Sequence, residues 1–135
     1  MSGKQIQWES QEQMALMTWC EWNKDIYPEL EWIHHIPNGG RRDKTTGARL
    51  KKEGVKAGVP DLCLPVPIRG YHGLYIEMKQ IAGGSVSPNQ KRWLKHLNDS
   101  GYYAVIAHGW REAAEIIKNY LGKRGIEDEQ SDLDW

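Results

Sequence analysis

The sequence predicts an α/β fold, a mixed β-sheet flanked by helices in the order α-β-(α)-β-β-α-β-α. Three observations carry that expectation. DLCL at 61–64 and GLYIEMK at 73–79 are short apolar runs that read as strands. YYAVIA at 102–107 is another, and it follows a segment with complete helix start and stop signals. Apolar residues at three- and four-residue spacing mark helices towards both ends of the chain. With 135 residues, 39% of them hydrophobic, the chain suits one compact domain. That domain is expected to span 1–121, with 122–135 an acidic, flexible tail.

The first helix is expected from about Ser10 to Tyr27, with Leu16, Trp19, Cys20 and Asn23 on one face and Pro28 ending it. Leu30 to Ile36 reads as a strand, Leu30, Trp32 and Ile36 alternating against Glu31. PNGGRRDKTTG, residues 37–47, is a turn-rich loop. The amides of Asn38, Gly39 and Gly40 either meet a phosphate there or only close the turn. A short helical piece follows, closed by Gly54. Pro60 opens the next strand, since a proline is tolerated at a strand start. It runs to Leu64, and the loop 65–72, with Tyr71 and His72, leads to the strand 73–79.

Ser87, Pro88 and Gln90 then form a capping box with proline at the first helical position. This helix is expected to bury Trp93, Leu94 and Leu97 and to stop at Gly101. After the strand Tyr102–Ala107 comes a last helix, Trp110–Leu121, with Ala113, Ile116, Ile117 and Tyr120 inward.

Formal net charge is zero, but it is unevenly spread. Residues 41–56 carry Arg41, Arg42, Lys44, Arg49, Lys51, Lys52 and Lys56 against Asp43 and Glu53, while Glu127, Asp128, Glu129, Asp132 and Asp134 make the tail acidic. The basic segment either collects phosphates or is a solvated face. Seven Trp and six Tyr, with no Phe, serve packing or stacking on bases. Cys20 and Cys63 lie in no CxxC or zinc spacing and suit a reducing cytoplasm. The N-terminus is too polar for a signal peptide, and no apolar run reaches membrane-spanning length. No serine or cysteine has an evident supporting base in the sequence, which speaks against a triad-type hydrolase.

The acid and base of GLYIEMK carry the chemistry. Glu77 and Lys79 project to one face of their strand and Met78 to the other. Burying either charge is costly unless it finds a partner. If the strands 61–64 and 73–79 pair, Asp61 approaches Glu77, and two close carboxylates call for a hard divalent cation such as Mg2+. Such an ion polarises a phosphate oxygen and acidifies a water, and Lys79 would orient that water and stabilise developing charge. PD…ExK beside a cationic approach is a nuclease constellation.

Matching blocks run in order from residue 9 to 121: ESQEQMAL, HIPNGG, RLKKEGVKAGVPDL, GLYIEMK, SPNQKRWL, GYYAVIAHGW and a closing YL. In these the chain resembles the virus-type replication-repair nuclease (VRR-NUC) domains of the PD-(D/E)XK superfamily, the small stand-alone phage type above all. The resemblance implies a restriction-endonuclease-like core and Mg2+- or Mn2+-dependent cleavage of DNA. Asp61 and Glu77 would ligate the metal, joined by the Met78 carbonyl and by an acid of the first helix, Glu9 or else Glu12. Lys79 would attend the attacking water. Gln90 would sit near the site, a role that stands beside its capping one. A homodimer acting on four-way junctions or other branched DNA, in phage replication, recombination or repair, follows by analogy.

Two other readings stay open: a DNA-binding module of the same fold with little cleavage of its own, and an unrelated small α/β protein whose acids form surface pairs. His34 and His35 are adjacent on a strand and cannot share one metal; His34 either packs or faces the groove.

Overall fold

The computed structural model describes residues 2–37 and 44–122, with side chains from Trp8 in the first segment and from Thr45 in the second. Arg41, Arg42, the Asn38–Gly40 turn and the acidic run after Gly122 lie outside the described residues, as does the side chain of Lys44.

The order is α1 (Ser2–Trp22), a 3-10 turn (Pro28–Trp32), β1 (His34–His35), α2 (Lys44–Lys52), β2 (Leu62–Leu64), β3 (Leu74–Lys79), α3 (Pro88–Asp99), β4 (Tyr103–His108) and α4 (Trp110–Leu121). The four strands lie side by side in chain order. β1–β2 and β2–β3 are antiparallel and β3–β4 is parallel, so the sheet is mixed as expected. The parallel pair needs a crossover, and α3 supplies it.

β3 has two different faces. Leu74, Ile76 and Met78 join a buried core with Leu16 and Cys20 of α1 and with Ala113, Ile117 and Tyr120 of α4. Tyr75, Glu77 and Lys79 look the other way, towards α3. The sheet is thus sandwiched between α1 and α4 on one side and α3 on the other. On the α3 side the Asn98 side chain bonds both the N–H and the C=O of Ala104, at 3.1 and 2.9 Å. β4 is an edge strand, and this amide occupies hydrogen-bonding groups that a further strand would otherwise take.

The segment 30–36 differs from expectation. It is a 3-10 turn followed by a two-residue strand. Tyr27, Leu30 and Ile33 are buried, a spacing of three that matches the 3-10 repeat, while Trp32 is 62% exposed. Pro28 at the turn's start fixes the φ that it needs. α1 also begins earlier and ends sooner than the sequence suggests, closing at Trp22. The next residue, Asn23, does not pack inward. It caps the helix end, its Nδ2 donating to Trp19 O at 2.8 Å. In α3 Leu97 is buried, whereas Trp93 and Leu94 are half-buried. No helix among the described residues is long and apolar enough to cross a membrane.

Candidate active site

β2 and β3 pair with Leu62 opposite Ile76, which places Asp61 opposite Glu77 at the end of the ladder. Residues so opposed stand about 5 Å apart at their Cβ atoms, on one face of the sheet. Asp61 is held there from three directions. Its carbonyl accepts from Ile36 N at 2.7 Å and meets His35 Nδ1 at 2.8 Å, and its Oδ2 accepts from Met78 N at 2.7 Å. The carboxylate therefore stands in for the backbone acceptor that β2, which begins only at Leu62, does not offer to Met78. The contribution of His35 is invisible in the sequence, since only the β1–β2 pairing brings residues 35 and 61 together.

Glu77 and Lys79 are 2% and 4% exposed, the buried charged side chains among the described residues. Charges that deep need partners. Glu77 Oε2 stands 3.8 Å from Lys79 Nζ and accepts from Gln90 Nε2 at 3.0 Å. Glu77 Oε1 is buried and receives no donor in its ionised form. Where one of the two acids is protonated, the Asp61 and Glu77 carboxyls share a hydrogen bond. Burial, then the charge of Asp61, pushes the Glu77 carboxyl up to about 9 despite Lys79. Burial also raises the Asp61 carboxyl, opposed by the Met78 N–H and by the bond to Glu77.

Gln90 links the site to α3. Its Oε1 accepts from Ser87 N at 2.9 Å and from Lys79 Nζ at 3.1 Å, while Ser87 Oγ accepts from Gln90 N. The capping box forms as expected, and the same amide reaches Lys79 and Glu77. One side chain thus closes the helix cap and also reaches the acid–lysine cluster.

The two candidate helix acids part company. Glu9 approaches the cluster, its Oε1 4.0 Å from Lys79 Nζ, and its charge adds to the upward push on Glu77. Glu12 instead accepts from Trp110 N at 2.8 Å. It satisfies the first turn of α4, which Gly109, lacking a side chain, cannot do for itself.

The described part of the basic segment is exposed. Arg49 pairs loosely with Glu53 at 3.8 Å, and Lys51, Lys52 and Lys56 face solvent. Among the described residues α2 packs against no other helix or strand. His34 is exposed too, its Nδ1 3.0 Å from Trp32 O. Tyr71 stands edge-on to Tyr103 at 5.2 Å, so that loop leans on the sheet's aromatic residues.

The residues suit a small hard cation. No group of three or more His, Cys, Asp and Glu side chains gathers for one among the described residues. Mg2+ needs less, commonly one or two carboxylates with waters and substrate oxygens completing six positions. The buried Glu77 Oε1, facing a second carboxylate, is the kind of acceptor that a divalent ion relieves.

The sequence model of the VRR-NUC domain matches residues 7–110. A solved structure described as a VRR_NUC domain protein is similar, with a TM-score of 0.70 and 31% identity over 86% of this chain and 89% of that one. A search of curated proteins finds no match. With the family's sequence pattern over most of its length and a fold shared with a solved member, this chain belongs to the VRR-NUC domain family and is a nuclease-type domain.

Proposed function

We propose that the chain is a metal-dependent DNA endonuclease that hydrolyses phosphodiester bonds. The observation that supports this most is the buried meeting of Asp61, Glu77 and Lys79, with one Glu77 oxygen lacking a donor. Asp61, Glu77 and the Met78 carbonyl would hold Mg2+ or Mn2+, with Glu9 completing the acidic set from α1. The ion, when bound, supplies positive charge to a phosphate oxygen and acidifies a water. Lys79 places a second positive charge near the non-bridging oxygens, on which negative charge gathers as phosphorus becomes five-coordinate, and offers donors to the entering water. Gln90 holds Lys79 and Glu77 in register, so the amine faces the reacting atoms before substrate arrives.

Burial and the charge of Asp61 favour the protonated form of Glu77, so the acid pair would have to release a proton in order to hold a divalent ion. Arg49, Lys51, Lys52 and Lys56, with Arg41, Arg42 and Lys44, would draw the phosphate backbone towards the acids. The fuller form of the proposal is a homodimer that cuts four-way junctions or other branched DNA during phage replication, recombination or repair in the host cytoplasm. It rests on the likeness to small stand-alone family members.

The purified chain is expected to nick or cut plasmid or branched DNA with Mg2+ or Mn2+ and to be inert in EDTA. Binding without cleavage under any divalent metal would make it a DNA-binding module instead.

A further inference from the structure

A cavity of about 560 Å3 opens on the outer side of α3, between the helix and Lys56–Ala57 of the loop that precedes β2. Trp93 lines it half-buried, its ring edge-on to His96 at 6.3 Å. Lys56, Arg92 and Lys95 bring three positive charges from two elements to its walls. Lys95 is committed to Asp99 at 2.7 Å. Lys56 forms no ion pair among the described residues, and Arg92 touches a neutral acceptor, Asn89 Oδ1, at 3.4 Å. Two cations that no acid among the described residues neutralises, and the half-buried Trp93 ring, therefore surround one hollow.

The cavity and the acidic cluster are two sides of one junction. Gly58, with φ +94, lies so close to α3 that an added Cβ would stand 2.7 Å from the Asn89 backbone. Three residues further along that loop comes Asp61, and one residue along the helix comes Gln90. A strand that lays one phosphate at the acids is thus within a short reach of this hollow.

We propose that the cavity takes an unpaired nucleotide of the DNA strand passing the acidic cluster, its base against Trp93 and its phosphate between Lys56 and Arg92. The volume falls in the range of small-ligand sites. An indole stacks on any base, and a guanidinium grips phosphate oxygens in pairs. A base inside a duplex is already stacked and cannot enter a recessed hollow, so the preferred substrates carry single-stranded DNA beside the bond to be cut. The inference rests on the nuclease proposal for its substrate, and it names the structural class of that substrate.

The test is equilibrium binding in EDTA, comparing a blunt duplex with the same duplex bearing a short oligo(dT) tail, and with dTMP as competitor. The tailed DNA is expected to bind more tightly. The variant Arg92→Ala should weaken the tailed complex about fivefold and lower its salt slope by about one, while changing blunt-duplex affinity little. Trp93→Leu should cost a similar factor on the tail; should that variant fold poorly, the exposed Arg92 decides. Equal losses on both DNAs, or none on the tailed one, would overturn the proposal, as would displacement of the tail by micromolar dTMP. Because EDTA suppresses cleavage, failure of the chain to cut DNA would sink the endonuclease proposal and leave this result standing.

Discussion

One oxygen of Gln90 holds both the backbone of Ser87 at 2.9 Å and Lys79 Nζ at 3.1 Å, so the start of α3 and the buried lysine of β3 are one bonded unit. Helix capping and site geometry are therefore separable by mutation. Ser87→Ala removes the hydroxyl that accepts from Gln90 N and should cost about 1 kcal/mol in stability. Cleavage per folded molecule should stay within about twofold, since Gln90 keeps Lys79 and Glu77. Gln90→Ala removes both functions and should lower cleavage at least tenfold at a similar stability cost. Chemical denaturation and initial cleavage rates measure the two effects.

The acid pair gives the metal-free chain a distinctive pH dependence. Folded Glu77 keeps its proton up to about 9, against an ordinary value of 4.5. Between those values the folded state binds a proton that the unfolded state has lost. Its contribution is fully present below about 4.5 and disappears as pH rises towards 9. Denaturation in EDTA should show stability falling from pH 5 to pH 8, on the order of a few kcal/mol. Glu77→Gln should flatten that slope, and Mn2+ should raise the melting temperature of the unmutated chain more at pH 8 than at pH 5.

Glu9 and Glu12 sit one helical turn apart with different expected phenotypes. Glu12→Ala leaves Trp110 N without its acceptor and should cost about 1 kcal/mol, with cleavage per folded molecule unchanged. Glu9→Ala should leave stability nearly intact and slow cleavage at least tenfold, because its carboxylate faces Lys79. Reversal of these two outcomes would exchange the roles of the two acids.

Gly58 answers for the GVPDL stretch. Its φ of +94 disfavours any side chain, and a Cβ would meet the Asn89 backbone at 2.7 Å. Gly58→Ala should destabilise by about 2 kcal/mol or more. The loss should come with weakened cleavage, since the loop that bears Asp61 must shift. Calorimetry and the cleavage assay together show whether both fall.

Much of this molecule is legible in its sequence where local signals and the fold agree. Ser87, Pro88 and Gln90 mark the start of α3, and the apolar spacing of Ala113, Ile117 and Tyr120 matches their burial in α4. DLCL and GLYIEMK read as strands from sequence, and the approach of Asp61 to Glu77 follows once they pair; the structure supplies that pairing and its register. The segment after Pro28 misleads, since Leu30, Trp32 and Ile36 mimic a two-residue repeat while Tyr27, Leu30 and Ile33 carry the real one of three. Glu12 on Trp110 N and His35 on the Asp61 carbonyl join distant residues, and no local pattern announces them. Gln90 sits between these cases: its capping role is local, and its grip on Lys79 requires the folded sheet.

The central claim is that Asp61, Glu77 and Lys79 act together on one phosphodiester bond with a divalent ion. It is tested most directly by cleavage of branched, flapped and linear DNA by the unmutated chain and by Asp61→Ala, Glu77→Ala and Lys79→Ala, with Mg2+ or Mn2+ and with EDTA. The account predicts metal-dependent cutting by the unmutated chain, lost in all three variants while circular dichroism shows each one folded. Full activity in any folded variant, or cutting that survives EDTA, would contradict it.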